Sequence, residues 1–462
     1  MQVKNNRISR VLIAVLVALM VLPMAAMAQN FSSSVNTYSP YSMYGLGELA
    51  TPGDAAMRSM GGVGVAMFSM GRVNTLNPAA YANTPRKSFL FHFGVDAGHY
   101  QNEQAKYAGA TSTIKTAYNT VNFHDISFQM PLAKNVGLGF SLTPYSNVGY
   151  NMYRDDVDSD IAGTVGRIRY RYRGEGDVTE VKLGVGWRPT TKFSLGVAAL
   201  YYWGTIERSY ASTVMNIITG SGSYSNTTGI DEYSVSRVKM QAGMQWHAIM
   251  NSKRILSFGA TYDLGGELAP GMKRYVYVDN FLTSVVRDES EKTELKLPQQ
   301  IAIGAFYQTN TLRLGLDYVY QDWGGQNSGY EENIGGKGVT VAYTDTHTLK
   351  AGFEITPRPT DVRHYLSRVS YRVGARYGDY YQTFEGCKVK QYAITAGLGL
   401  PVRLFGTSSI DLGFEYGVRK PENSTIVLEE QVVGMVKQHY FKFSLGLALF
   451  GEDRWFQRYK FD

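Results

Sequence analysis

The chain has 462 residues, 49 of them Gly and 34 Tyr, a formal net charge of +7 and one cysteine, Cys387. One cysteine excludes an intrachain disulfide framework. The basic and acidic residues are interspersed, so no basic stripe marks a nucleic-acid partner.

Residues 1–28 read as a cleavable secretory signal peptide. Lys4, Arg7 and Arg10 precede an apolar run from Val11 to Met24, and Ala26-Met27-Ala28 supplies the small-residue cleavage site. The run is too short for a membrane helix, and none of that length follows it. Cleavage after Ala28 leaves 434 residues with a charge of +4. The protein is therefore expected to be exported. No cysteine stands at the cleavage site to carry a lipid.

Residues 29–86 show no strand alternation and are rich in Gly, including Gly45, Gly47, Gly61, Gly62 and Gly64. The stretch "GLGELA" spells a G-x-G-x-x-A. It lacks the preceding buried strand, the helix of useful length and the downstream acid of a dinucleotide site. The segment reads instead as a hatch threaded through a narrow space, with one short helix from Asp54 to Met60. Met57, Met60, Met67, Phe68 and Met70 are candidate contacts for an apolar substrate. In Asn77-Pro78-Ala79, Pro78 fixes its own φ and biases Asn77 to be extended. The Asn77 amide can then satisfy backbone groups of a non-helical segment.

Residues 87–450 alternate between large apolar and small or polar side chains. In "NVGLGFSLT", Val136, Leu138, Phe140 and Leu142 oppose Gly137, Gly139, Ser141 and Thr143. Fourteen candidate strands lie near 88–97, 120–131, 135–150, 176–188, 192–207, 233–247, 252–263, 295–308, 311–322, 346–356, 366–379, 390–401, 407–418 and 438–450. Short connections such as "LAKN", "RPTTK" and "QTNT" alternate with long ones such as 151–175 and 208–232. A soluble barrel has no reason for that asymmetry, whereas an outer-membrane barrel has short periplasmic turns and long outer loops. The fold class expected is all-β, a 14-stranded antiparallel transmembrane barrel. Trp187, Tyr201, Tyr202, Trp203, Tyr318, Tyr320 and Trp323 are placed in its aromatic girdles.

With large residues facing lipid, Arg368, Arg372 and Arg376 project inward from one strand, with Arg313, Lys182 and Lys350 elsewhere on the lumenal wall. They would either pair a substrate carboxylate or brace wall and hatch against Glu180, Asp317, Glu354 and Glu415. Pro144 interrupts the third candidate strand, where it can donate no ladder hydrogen bond. It marks a bulge there. No metal-ligand spacing and no catalytic elbow is found, and no cofactor or enzyme activity is expected. Residues 451–462 read as a periplasmic tail.

The stretch "DAAMRSMGGVGVAMFSMGRVNTLNPAAYA" resembles the hatch of the FadL/TodX family of outer-membrane transporters for long-chain fatty acids and aromatic hydrocarbons. The matching motif is Asn77-Pro78-Ala79. "SPYSMYGLGEL" is similar to forms from Bacteroidetes-type bacteria. The resemblance implies a monomer in the outer membrane of a Gram-negative cell, in contact with outer-membrane lipid. A fatty-acid-like molecule would be captured passively and released sideways past the hatch, and the resemblance makes Pro144 the candidate for the lateral gate, a plain bulge being the alternative. The alternative is a non-transport binding or assembly barrel, associated with secretion or with a surface or periplasmic protein partner.

Overall fold

The computed structural model describes residues 37–68, 71–86, 88–105, 112–155, 167–215, 225–268, 271–279, 281–286, 295–332, 339–402, 408–428 and 431–452. The proposed signal peptide, Met70 and the last ten residues of the proposed tail lie outside the described residues. Fourteen antiparallel strands close on themselves. They are β1 (Ser88–Ala105), β2 (Thr113–Ala133), β3 (Val136–Asp155), β4 (Arg167–Thr190), β5 (Phe193–Met215), β6 (Thr227–Met250) and β7 (Arg254–Asp263). The ring continues through β8 (Gln300–Thr309), β9 (Leu312–Gln321), β10 (Thr346–Ile355), β11 (Ser370–Phe384), β12 (Cys387–Val402), β13 (Ser408–Pro421) and β14 (Lys437–Glu452). Pairing of β14 with β1 completes it. The expected barrel is present, with each expected strand inside or overlapping an observed one.

The alternation explains which way the wall faces. Leu183, Val185, Trp187, Val197, Met244, Trp246, Ile303, Leu316 and Phe443 are exposed on the outside. Lipid solvates such a face, and closure leaves no edge to satisfy in hydrocarbon. Trp187, Tyr201, Trp203 and Tyr318 lie on that outer face, in line with the girdle, but Tyr202 and Trp323 are buried. Tyr202 falls on the inward phase of β5, and Trp323 begins a short helix (Trp323–Gln326) packed among Tyr343 and Tyr381.

One side of the barrel rises far above the membrane. Strands β4, β5 and β6 contain 24, 23 and 24 residues, against about 9–11 needed to span. The described parts of two segments expected as loops, 151–155 with 167–175 and 208–215 with 227–232, are therefore strand. Gly271–Val278 extends the upper ladder of β6, and Phe281–Val286 pairs beyond it.

Candidate functional site

The hatch enters the lumen from the outer side, where Tyr41, Tyr44 and Leu46 pack with Trp323, Tyr343 and Tyr381 in one buried cluster. A two-residue strand, Glu48–Leu49, follows, and then a short helix α1 (Ala55–Ser59) capped by Asp54, whose carboxylate accepts from the Met57 amide at 2.7 Å. Six further residues, Pro78–Asn83, form a 3-10 helix. Asn77 is its cap and accepts from the Ala79 amide at 3.0 Å. Its Nδ2 donates to Val65 O at 2.8 Å and to Met244 O in β6 at 3.1 Å. One amide thus joins two parts of the hatch to the wall.

The inner wall is shaped to receive this path. Gly137, Gly186, Gly196 and Gly243 sit opposite one another across four strands. Farther round, Gly259 faces Gly304, Gly315 faces Gly352, Gly352 faces Gly374, Gly397 faces Gly413, and Gly446 faces Gly94. A Cβ on most of these glycines would run into hatch backbone or side chains: Tyr81 at Gly137, Pro78 at Gly186 and Gly196, Asn77 at Gly243, Val65 at Gly259, Met60 at Gly352 and Gly374, Ser59 at Gly397. The belt of glycines lets wall and hatch backbones touch.

Charge fixes the hatch in this seat. Arg58 pairs with Asp96 at 2.5 Å. Arg72 reaches Asp411 at 2.8 Å and Asp54 at 3.2 Å. Glu48 lies between Arg419 at 2.7 Å and Lys442 at 3.2 Å. Asp317 accepts from the Gly64 and Val65 amides at 2.7 and 3.0 Å. Removing one partner of such a buried pair is costly, because it strands the other charge.

The lumenal arginines enter the same network. Arg372 bridges Glu354 at 2.6 Å and Asp411 at 2.7 Å, Arg313 also binds Glu354 at 2.7 Å, and Arg376 pairs with Glu415. Arg368 lies outside β11, at the end of a 3-10 turn, Tyr365–Arg368. Met57, Met60 and Met67 are buried together with Val63, Ala66 and Phe306. Phe68 is buried against His247 at a ring separation of 4.8 Å. None of these four apolar residues lines the chamber described next.

Among the described residues the ladder between β2 and β3 is interrupted. The β2–β3 ladder runs from Ala133–Val136 to Ile126–Leu142 and stops, although both strands continue. Pro144 lies just beyond, and the β3–β4 register shifts between Pro144 and Ser146. The hatch strand occupies the bare edge of β3, with Glu48 opposite Asn147 and Leu49 opposite Ser146. Hydrogen bonds from Ser39 N to Gly149 O and from Ala50 N to Tyr145 O, both 2.9 Å, extend the contact. Tyr38 bridges the seam by stacking on Tyr118 of β2 and donating to Asn151 O of β3 at 3.2 Å.

Inside the seam lies a chamber of about 210 Å³, bounded by Leu49, Pro144 and Tyr145 and lined by Lys182, Lys239 and Lys350 with Glu180 and Asp263. Lys182 donates to Thr75 O at 2.5 Å and Lys239 to Pro298 O at 3.0 Å. On β2, Asp125 accepts His92 at 2.6 Å and His124 at 2.8 Å. Of these, Lys239, Asp263 and the two histidines were not singled out in sequence. Their signal was available, since Lys239 and Asp263 occupy the inward phase of β6 and β7. The hatch partners Arg58 and Arg72 had a different signal, as charges alone in an apolar, Gly-rich stretch.

Known proteins can be set beside this geometry. A FadL homologue from Pseudomonas aeruginosa is similar over 88% of this chain and 100% of its own, with 13% identity and a TM-score of 0.61. The toluene transporter TodX from P. putida is similar over 87% and 99%, with 13% identity and a TM-score of 0.54. The toluene transporter TbuX from Ralstonia pickettii is similar over 86% and 98%, with 12% identity and a TM-score of 0.51. The resemblance to FadL/TodX proteins therefore holds for the fold. No curated protein matches the chain. A family model does, over residues 8–462, and it is a different family from those transporters: the chain belongs to the BamG family.

Proposed function

We propose that the protein is an outer-membrane transporter for a hydrophobic small molecule with a polar head, a fatty-acid-like amphiphile, in a Bacteroidetes-type variant of the FadL plan. The observation that carries this reading is the seam. The ladder between β2 and β3 ends partway up the wall, and a strand of the hatch closes the remainder against a chamber. Lys182, Lys239 and Lys350 outnumber Glu180 and Asp263 on the chamber wall, which suits a carboxylate better than a hydrocarbon such as toluene, since a polar, charged lining is costly to cover with an apolar ligand. At about 210 Å³ it holds a head rather than a long chain. The tail would pass through the seam into lipid, where apolar transfer contributes about 25 cal/mol per Å². Withdrawal of Glu48–Leu49 from β3 is the step that opens the route, and neither ATP nor a covalent intermediate is required. Uptake of radiolabelled fatty acid by cells with and without the protein tests this. Faster uptake in its presence is expected, and equal rates would count against transport.

A second reading is a binding or assembly barrel whose hatch never leaves, serving a surface or periplasmic protein partner. The glycine belt and the paired lumenal charges favour it, because both fix the hatch in one position. The tall sheet of β4–β6 would give a partner a platform above the membrane. Membership in a family other than that of the fold neighbours is in line with it. Acyl chains co-purifying with the barrel support the first reading, and a stoichiometric protein the second.

A further inference from the structure

The short-turn end of the barrel holds a second recess, separate from the chamber and the seam. It has a volume of about 380 Å³ and is lined by Arg72, Arg313, Arg368 and Arg372 together with Ser409, Pro401, Ala448 and Phe450. That volume falls in the usual range of ligand pockets, about 300–1,000 Å³. Three of the four arginines are matched by three carboxylates: Arg72 with Asp54 and Asp411, Arg372 with Glu354 and Asp411, and Arg313 with Glu354. Arg368 makes no ion pair among the described residues. Its guanidinium lies 5.3 Å from the centre of the Tyr365 ring, and its Nε is buried without a hydrogen-bond partner. The recess thus carries, on a half-buried arginine, one positive charge without an ion-pair partner among the described residues and one buried donor without an acceptor, in a lining that also holds Pro401, Ala448 and Phe450. A buried donor left unpaired is costly and calls for an acceptor. A planar guanidinium suits the two oxygens of a carboxylate or phosphate.

We propose that this recess binds the oxyanion of an amphiphile, a carboxylate or a phosphate monoester. Arg368 recognises the charge, while Pro401, Ala448 and Phe450 cover the first apolar carbons. The proposal is independent of the transport reading, because the recess lies at the opposite end of the hatch from the aromatic outer cluster and does not adjoin the seam.

Calorimetric titration of the purified full-length protein in a neutral detergent, with octyl phosphate, octanoate, inorganic phosphate and octyl glucoside, tests it. Octyl phosphate and octanoate are expected to bind, inorganic phosphate more weakly and octyl glucoside not measurably. Arg368→Gln should weaken octyl phosphate by about tenfold or more, the range of a charge-assisted hydrogen bond, and Arg368→Lys by less. Thermal unfolding of both variants should match the wild type, since Arg368 sits on a turn and holds no ion pair. Ala448→Phe, which fills the recess, should abolish binding with the charge in place. Unchanged affinity in Arg368→Gln, or equal binding of octyl glucoside, would overturn the proposal. Tight binding of inorganic phosphate alone would reassign the recess to free anions and would equally overturn it.

Discussion

Asn77 and Glu48 show how single side chains hold the hatch. Asn77 caps one helix, ties Val65 to it and reaches the wall at Met244, all from a fully buried position. Asn77→Ala leaves those groups unsatisfied and should lower the unfolding free energy by about 1–3 kcal/mol, readable in urea titrations of the folded barrel. A loss within experimental error would remove Asn77 from this role. At Glu48, burial works to raise the carboxyl, but the charges of Arg419 and Lys442 outweigh it and hold the group well below the usual carboxylate range. A carboxylate depressed in the folded state stabilises above its unfolded pKa, and that stability is lost as pH falls through the folded value. Protection of the hatch from protease should therefore stay level from about pH 8 to about pH 5 and fall only in stronger acid. Glu48→Gln should be less protected at neutral pH. A loss in the wild type near pH 6 would contradict this assignment.

At the scale of elements, the strands were legible because lipid enforces a strict alternation, and each window of large-out, small-in residues turned out to be wall. Their upper ends were not legible. Above the membrane nothing demands alternation, so β4–β6 continue through Tyr170, Tyr172, Ser209 and Thr213 for as long as a partner strand runs alongside. Within the hatch, Asn77-Pro78-Ala79 could be read as a stiffened contact from its chemistry alone. The methionines could not be assigned a packing partner, since Phe306 lies more than two hundred residues away in sequence. The small residues of the wall were visible as a pattern, but their role depends on the hatch lying against them. At Gly196 the added carbon would meet the Pro78–Ala79 backbone. Gly196→Leu should unseat the 3-10 helix, expose the hatch to protease and raise ion conductance in planar bilayers. Gly266→Ala, with open space around it, should change neither. An unchanged Gly196→Leu barrel would show that the close fit is incidental.

The whole molecule is a lipid-solvated cylinder with its own amino-terminal segment lodged inside, and that segment closes the gap between β2 and β3. The seam was foreshadowed by Pro144 in the third strand, but its hatch strand was not, because two residues, Glu48 and Leu49, carry no periodic signal. Whether this closure is a gate can be measured by locking it. Leu49 and Ser146 face each other in register, so Leu49→Cys with Ser146→Cys, in a Cys387→Ser background, would tether the hatch strand to β3. The account predicts that oxidised cells lose uptake of labelled fatty acid and recover it on reduction, while the Cys387→Ser parent is unaffected by either treatment. Undiminished uptake through the oxidised, tethered barrel would contradict it.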